Sequence, residues 1–299
     1  MKKTIFTGAG VAIATPMTES GEINFDELGR LIEFNIENGT DAIIICGTTG
    51  ESATMTDEEH VACIKYAVEK TAGRIPVIAG TGSNHTSYAV NLSKEAEKLG
   101  ADALLCVTPY YNKASQKGLI KHFTAVAEAV DLPIILYNVP SRTGVNIAVE
   151  TMKELSKLDN IVAVKEASGN ISQVAKIKQA CGDALDIYSG NDDQIIPIMS
   201  LGGKGVISVL SNCCPKETHE ICALCMEEKY SEAREIAMKT LPFANALFSD
   251  VNPIPVKQAL NYMGFKAGSC RLPLCDMSDE APAKLKAEME KLGLVNSIK

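Results

Sequence analysis

The sequence predicts a (β/α)8 TIM barrel followed by a C-terminal helical appendage. Short apolar, β-branched runs recur eight times, helical periodicity lies between them, and strand patterns stop after about residue 212. Several runs are apolar almost throughout, which is typical of parallel strands covered on both faces. Eight such units over roughly 220 residues fit the size of this barrel. A doubly wound sheet is the alternative, but the turn over residues 15–18 lacks the glycines that a dinucleotide-binding turn requires.

Each predicted strand ends where small or polar residues interrupt the apolar run. In chain order the strands are 10–15, 42–47, 76–80, 103–108, 133–138, 161–165, 185–189 and 205–209. The first strand competes with a secretory signal, because Met1, Lys2 and Lys3 precede a fairly apolar stretch. Threonines and glycines dilute that stretch, so we favour the strand.

The intervening helices have recognisable start residues. Asn24 and Thr56 are placed as N-caps, and each has a glutamate three residues later, Glu27 and Glu59, at the capping-box position. After the last strand, helices are predicted over 216–229, 231–247, 255–263 and 278–292. We therefore predict a catalytic barrel over residues 1–228 and a C-terminal α-helical domain over 229–299.

Composition limits the classes of function. The chain has 299 residues, 46% of them hydrophobic and 22% charged, with a net charge of −8. An acidic chain without basic blocks argues against nucleic acid and anionic membranes as partners. No apolar segment has the length needed to span a bilayer, so we expect a cytoplasmic protein.

Ten cysteines raise the question of a metal site. One cluster contains Cys213, Cys214, His219, Cys222 and Cys225, which makes zinc an alternative. However, the last two cysteines fall within one predicted helix, and no second pair has the separation of a structural zinc site. We expect the cysteines to pack as small hydrophobic residues in a reducing cell, without a metal.

Polar residues collect where the predicted strands end, the face that carries chemistry in this fold. Strand six ends on Lys165, strand five ends near Tyr137 and is followed by Arg142, and Thr48 and Thr49 follow strand two. Strands four and seven are followed by further polar positions, namely Tyr110, Tyr111, Asn191 and Asp192. Each residue taken alone has an ordinary structural explanation, since a strand-end lysine can snorkel and a tyrosine can pack in the core. Together they indicate a site.

These residue types suit carbonyl activation. A lysine in a partly desolvated barrel mouth loses its proton near neutral pH. Its amine then adds to a ketone, and loss of water gives an electron-withdrawing iminium. Tyr137, Thr48 and Tyr111 can relay protons. Thr48 and Thr49 offer hydroxyls and backbone N–H groups to a substrate carboxylate, and Arg142 can clamp a second one.

Five segments resemble motifs of the dihydrodipicolinate synthase family, in the pyruvate-dependent class I aldolase and lyase superfamily. They are residues 47–52, 137–144, 164–169, 189–192 and 252–257, and the resemblance covers essentially the whole chain. It implies a Schiff base between Lys165 and pyruvate, without a cofactor. It also implies that Tyr137 and Thr48 relay protons and that Tyr111 reaches the neighbouring subunit's site.

The resemblance further implies substrate contacts. Thr49 would hold the pyruvate carboxylate, Gly190 and Ile207 would line the pocket, and Arg142 would receive the carboxylate of L-aspartate 4-semialdehyde. Condensation and cyclisation would then supply the diaminopimelate and lysine pathway. The family is commonly a homotetramer built as a dimer of dimers.

Two other functions remain as alternatives. A sister enzyme, N-acetylneuraminate lyase or a 2-keto-3-deoxy sugar-acid aldolase, would share the lysine and the strand-five tyrosine. Such enzymes typically carry Ser-Thr in place of Thr48-Thr49 and usually lack the arginine at Arg142, so both positions favour the synthase. A catalytically silent barrel would be expected to lose Lys165 or Tyr137.

A regulatory lysine site is also implied by the resemblance. The matching positions are Ser52, Ala53, His60, Asn84 and Tyr110. Lysine-sensitive bacterial members carry a histidine and a glutamate where this chain has Asp57 and Tyr88. That glutamate ordinarily helps to hold the positive charge of the ligand, so we expect weak or absent inhibition by lysine.

Overall fold

Eight parallel strands form a closed barrel in this computed structural model, which describes residues 2–278 and 280–298. The strands pair in chain order and β8 closes on β1, so the predicted fold class is confirmed. The strands are β1 (Gly8–Ala12), β2 (Ala42–Ile45), β3 (Val77–Gly80), β4 (Ala103–Val107), β5 (Ile134–Asn138), β6 (Ile161–Glu166), β7 (Asp186–Ser189) and β8 (Gly205–Ser208). The stretch that imitated a signal sequence is therefore a barrel strand. Met1, Asp279 and Lys299, which belong to the predicted domains, lie outside the described residues.

Helices alternate with the strands and continue beyond the last one. They are α1 (Phe25–Glu37), α2 (Asp57–Thr71), α3 (Thr86–Lys98), α4 (Gln116–Ala127), α5 (Pro140–Thr143), α6 (Val149–Leu155), α7 (Ile171–Cys181), α8 (Ile195–Ser200), α9 (Pro215–Met226), α10 (Tyr230–Ala246), α11 (Ile254–Met263) and α12 (Ala281–Lys291). None of the helices in the described ranges combines the length and apolarity needed to cross a bilayer.

The two predicted helix caps differ in their details. At α2, Thr56 Oγ1 accepts from the Glu59 N–H and the Glu59 carboxylate accepts from the Thr56 N–H, which confirms the capping box. At α1, Asn24 accepts from the Glu27 N–H at 3.1 Å as predicted. The Glu27 carboxylate, however, accepts from the backbone N–H of Lys266 at 2.8 Å. The C-terminal segment thus takes an acceptor that the sequence pattern had assigned to the helix end.

The barrel interior is packed at the end opposite the predicted site. Phe6 and Tyr188 stack there with ring centroids 4.4 Å apart, and the Tyr188 hydroxyl donates to the Phe6 carbonyl at 2.6 Å. Along β6, Ala163 belongs to this interior cluster whereas Val164 packs outward against the helices. Strand alternation therefore directs Lys165 into the barrel. Its side chain lies towards the carboxyl ends of the strands.

A buried ion pair ties the C-terminal helices to the barrel. Lys257 Nζ on α11 lies 2.8 Å from Glu51 Oε1, and the two side chains are 2% and 1% exposed. The Lys257 ammonium also donates to the Ser269 carbonyl, and Glu51 Oε2 accepts from the Arg271 N–H. Breaking such a pair from one side generally costs about 3–5 kcal/mol, because an uncompensated charge stays buried. Since Glu51 closes the turn after β2, the pair fixes that turn against α11.

The predicted domain boundary near residue 228 falls between α9 and α10. Glu228 adopts a left-handed backbone there, with φ of 61°. Because α10 packs directly on α9, the division into 1–228 and 229–299 stays a prediction. We refer to residues 229–299 as the appendage.

Candidate active site

Lys165 and Tyr137 lie side by side on neighbouring strands. The register of β5 and β6 pairs these two residues directly. Lys165 Nζ is 4.4 Å from the centroid of the Tyr137 ring, within the range of a cation–π contact. The residues are 6% and 7% exposed. The strand-end lysine therefore does not reach solvent and instead lies against its tyrosine.

Burial lowers the pKa of Lys165 to about 8. Desolvation is the largest cause; the Asp192 carboxylate opposes it, and the Arg142 guanidinium adds to the lowering. With this pKa about a tenth of the amine is unprotonated at pH 7, far more than for a solvated lysine. The side chain is thus available as a nucleophile under ordinary conditions.

The Tyr137 phenol stays protonated beside this amine. Burial raises the pKa of Tyr137, while Arg142 and hydrogen bonding by Thr48 act to lower it. A protonated phenol next to an amine can donate a proton to an oxygen leaving the carbon under attack. The geometry therefore suits the proton relay that we predicted for Tyr137 and Thr48.

Asp192 supplies the negative charge that faces Lys165, a role that the sequence analysis did not assign. Its Oδ1 accepts from the Ser208 hydroxyl at 2.5 Å, and its Oδ2 accepts from the N–H groups of Val209 and Leu210 at 3.2 and 3.0 Å. Burial raises the pKa of Asp192, and these hydrogen bonds and Lys165 counteract the rise. The run of polar residues after β7 was the sequence feature from which this role of Asp192 could have been inferred.

A cavity of about 420 Å³ opens at the carboxyl ends of the strands. It brings together six of the predicted residues: Thr48, Thr49, Tyr137, Arg142, Lys165 and Gly190. At Gly190 a Cβ atom would lie 2.5 Å from the Cβ of Ala167, so only glycine lets the backbone approach at this point. The appendage completes the wall with Asn252 and residues next to it.

Asn252 contacts both of the residues predicted to bind carboxylates. Its Nδ2 donates to Thr49 Oγ1 at 3.0 Å, and its carbonyl accepts from Arg142 Nη2 at 3.2 Å. Thr49 is buried, whereas Arg142 is exposed at the cavity mouth. The sequence analysis named Asn252 only as part of a motif, because its partners are distant in the chain.

Two predicted residues are not in this wall as the structure describes it. Ile207 is fully buried in the barrel interior. Tyr111 is 90% exposed in the loop after β4, and its backbone is left-handed with φ of 71°. The Tyr111 side chain therefore projects towards solvent, away from the cavity of its own chain.

A second cavity of about 380 Å³ shares Thr48, Arg142 and Asn252 with the first. Its wall includes four positions of the predicted lysine site together with a neighbouring tyrosine: Ser52, Ala53, His60, Tyr110 and Tyr88. Asn84 is absent from the wall formed by the described residues, and its carbonyl accepts from Asn112 Nδ2 at 2.9 Å. The Tyr88 hydroxyl donates to Asp57 Oδ1 at 2.7 Å, and desolvation with this contact raises the pKa of Tyr88 to about 12.

The cysteine cluster that suggested zinc packs as core. Cys213, Cys214, Cys222 and Cys225 are buried, and burial raises the pKa of each thiol. His219 Nδ1 lies 2.8 Å from Asp41 Oδ2 instead. Within residues 2–278 and 280–298 no group of three or more potential ligands could hold a metal ion.

The site combines a desolvated lysine, a phenol beside it and anion-binding groups around a cavity, all inside a parallel (β/α)8 barrel. This combination is that of a lyase that binds a carbonyl substrate covalently. The comparison with known families specifies the class further. A model of the dihydrodipicolinate synthetase family matches residues 5–292. The chain belongs to this family.

Individual relatives cover nearly the full length. The 4-hydroxy-tetrahydrodipicolinate synthase of Lachnoclostridium phytofermentans is 60% identical over 292 residues, covering 97% of this chain and 99% of the relative. The crystal structure of dihydrodipicolinate synthase from Aquifex aeolicus is 48% identical with a TM-score of 0.95, covering 97% of this chain and 99% of that one. A structure described as a monomeric dihydrodipicolinate synthase variant is 42% identical with a TM-score of 0.94, covering 97% and 98%.

Removing the charge of Arg142 should change the pH at which Lys165 becomes reactive. In the variant Arg142→Gln the guanidinium no longer lowers the pKa of Lys165, so the midpoint for borohydride trapping of a 2-keto acid should rise above about 8. The charge-conserving variant Arg142→Lys should keep the midpoint of the unmodified protein. An unchanged midpoint in Arg142→Gln, or equal shifts in both variants, would contradict this assignment.

Proposed function

We propose that this protein is a 4-hydroxy-tetrahydrodipicolinate synthase, which condenses pyruvate with L-aspartate 4-semialdehyde in diaminopimelate and lysine biosynthesis. Family membership over residues 5–292 supports the reaction class. The observation that carries the assignment is the Lys165 amine, desolvated beside Tyr137 in a cavity that Thr49 and Arg142 also line.

The first half of the reaction forms the imine. The free Lys165 amine attacks the keto carbon of pyruvate, and Thr49 holds the pyruvate carboxylate. Tyr137, connected to Thr48, donates a proton to the departing oxygen, which leaves as water. The resulting iminium withdraws electrons from the methyl carbon, which loses a proton to give an enamine. No cofactor is needed, because the iminium is itself the electron sink.

The second half joins the two substrates. The enamine carbon attacks the aldehyde carbon of L-aspartate 4-semialdehyde, and the aldehyde oxygen takes a proton to become a hydroxyl. The amino nitrogen of the aldehyde substrate then attacks the iminium carbon, closes the ring and releases the Lys165 amine. Arg142 receives the carboxylate of this substrate, because its exposed guanidinium at the cavity mouth can bind a carboxylate bidentately. Overall one water leaves for each condensation.

A direct comparison of substrates tests this proposal against the sugar-acid aldolases. We expect pyruvate and L-aspartate 4-semialdehyde to disappear together in equal amounts, and N-acetylneuraminate not to be cleaved. Borohydride with pyruvate should label the peptide that contains Lys165, and the variant Lys165→Ala should not be labelled. Cleavage of N-acetylneuraminate in preference to the condensation, or a label that survives in Lys165→Ala, would refute the assignment.

We further propose a homotetramer, a dimer of dimers, in which Tyr111 enters the site of the neighbouring subunit and joins its proton relay. Two observations support this arrangement: Tyr111 is 90% exposed, and its left-handed backbone is one that a non-glycine residue rarely adopts without a reason. We place the enzyme in the cytoplasm, where its ten free thiols would persist.

Mixed dimers test whether Tyr111 acts in the partner's site. The variants Lys165→Ala and Tyr111→Phe should each be strongly impaired as pure proteins. When the two are unfolded and refolded together, a mixed dimer carries one site with both residues intact, so about one site in four should recover by random pairing. Activity equal to the mean of the two pure variants would exclude a shared site.

We also propose that lysine inhibits this enzyme weakly or not at all. In the second cavity the neutral Tyr88 occupies the position where a carboxylate ordinarily helps to hold the ammonium of lysine. Its hydroxyl engages Asp57 instead. The wall of the cavity at this point therefore carries a tyrosine held by Asp57, in place of the histidine and glutamate of lysine-sensitive members.

Steady-state inhibition by lysine tests this expectation. The unmodified enzyme should keep its rate at low millimolar lysine, whereas the double variant Asp57→His, Tyr88→Glu should become sensitive, because it places a carboxylate at position 88 in the wall of the cavity, where it can hold the ammonium. The single variant Tyr88→Phe serves as the control, since it removes the contact with Asp57 without adding charge. Inhibition of the unmodified enzyme in that range would contradict the proposal.

A further inference from the structure

The turn after β2 and the appendage meet at the hydrogen bond from Asn252 Nδ2 to Thr49 Oγ1, 3.0 Å long. The two residues are 5% and 2% exposed, and both line the first cavity. A hydroxyl oxygen that accepts this bond keeps its own proton for another partner. Among the described residues no acceptor takes that proton, so it remains for a ligand in the cavity.

The direction of this bond matters, because the opposite orientation of the amide would consume the Thr49 proton. Asn252 Oδ1 is buried and has no hydrogen-bond partner in the described part of the chain. Turning the amide over would leave a buried NH2 group in that place. An orphaned buried N–H is tolerated less well than an unused carbonyl oxygen. The orientation in which Asn252 donates is therefore preferred.

The backbone of Asn252 is held from both sides. Its carbonyl accepts from Arg142 Nη2 at 3.2 Å. Helix α11, which begins two residues later at Ile254, is fixed by the buried pair of Lys257 and Glu51. The Asn252 side-chain amide is therefore already in position next to Thr49 in the folded protein. Substrate binding then does not have to order it, so binding loses no conformational entropy at this residue.

We propose that Asn252 is a positioning residue, whose amide holds the Thr49 hydroxyl with its proton directed at the carboxylate of the 2-keto acid. This inference rests on the proposed function, in which Thr49 binds the pyruvate carboxylate. The same carboxylate is held before and after the imine forms. Loss of the orientation therefore weakens substrate binding more than it slows the later steps.

A double-mutant cycle tests the connection between the two residues. Asn252→Ala should raise the KM for pyruvate about three- to tenfold, with a smaller change in kcat, because a hydrogen bond to a charged group loses its alignment. In the background of Thr49→Val the same substitution should have little further effect, since the hydroxyl that it orients is gone. Additive effects, or an unchanged KM in Asn252→Ala, would overturn the proposal.

An isosteric variant guards against misfolding as the explanation. In Asn252→Asp the carboxylate accepts the Thr49 proton and reverses the bond, so the KM should rise more than in Asn252→Ala. The control Asn261→Asp alters an asparagine of the same helical appendage, whose Nδ2 donates to the Gly268 carbonyl, and should leave the KM unchanged. A KM in Asn252→Asp no higher than in Asn252→Ala would overturn the inference. Failure of pyruvate to label the unmodified protein with borohydride would instead refute the proposed function itself.

Discussion

The site depends on the desolvation of one amine. β6 carries Lys165 inward along the same face as Ala163, into an interior packed with apolar side chains. An ammonium in that position lacks water, and the Asp192 carboxylate offsets part of the loss. Arg142 shifts the balance further against the charged form. The pKa of the amine therefore lies close to the working pH. The unprotonated amine can attack as a nucleophile, and the amine can take up a proton when it leaves.

The appendage supplies the second constraint, because its side chains contact the turn after β2 from outside the barrel. The polar contacts that cross between the two parts include Glu51 with Lys257, Thr49 with Asn252, and Glu27 with the N–H of Lys266. A buried ion pair contributes little net stability, since desolvating both charges offsets their attraction. Such a pair nevertheless tolerates few alternative arrangements. The contribution of the Glu51–Lys257 pair is therefore chiefly geometric: it fixes the turn that carries the anion-binding threonines.

The sequence was informative where the pattern is local. Buried parallel strands leave continuous apolar runs, so each strand was located to within three residues at either end. The same rule put Lys165, Tyr137, Thr48 and Thr49 at one face, and the structure brings them to one cavity. The appendage contacts were beyond such reasoning, because Asn252 and Lys257 are separated from Thr49 and Glu51 by 203 and 206 positions. Local pattern also misassigned the carboxylate of Glu27, which a distant N–H takes over.

The two cavities are joined by shared walls. Thr48, Arg142 and Asn252 line both, so a ligand in the second cavity would touch residues that serve the first. Coupling between sites does not then need a long chain of intermediate residues, because both ligands would contact the same three side chains. The departures from the lysine-sensitive pattern lie at Asp57 and Tyr88, and neither residue lines the first cavity as the structure describes it. Substitutions at Asp57 and Tyr88 can therefore change which ligand the second cavity binds, while the three residues shared by the two cavities stay the same.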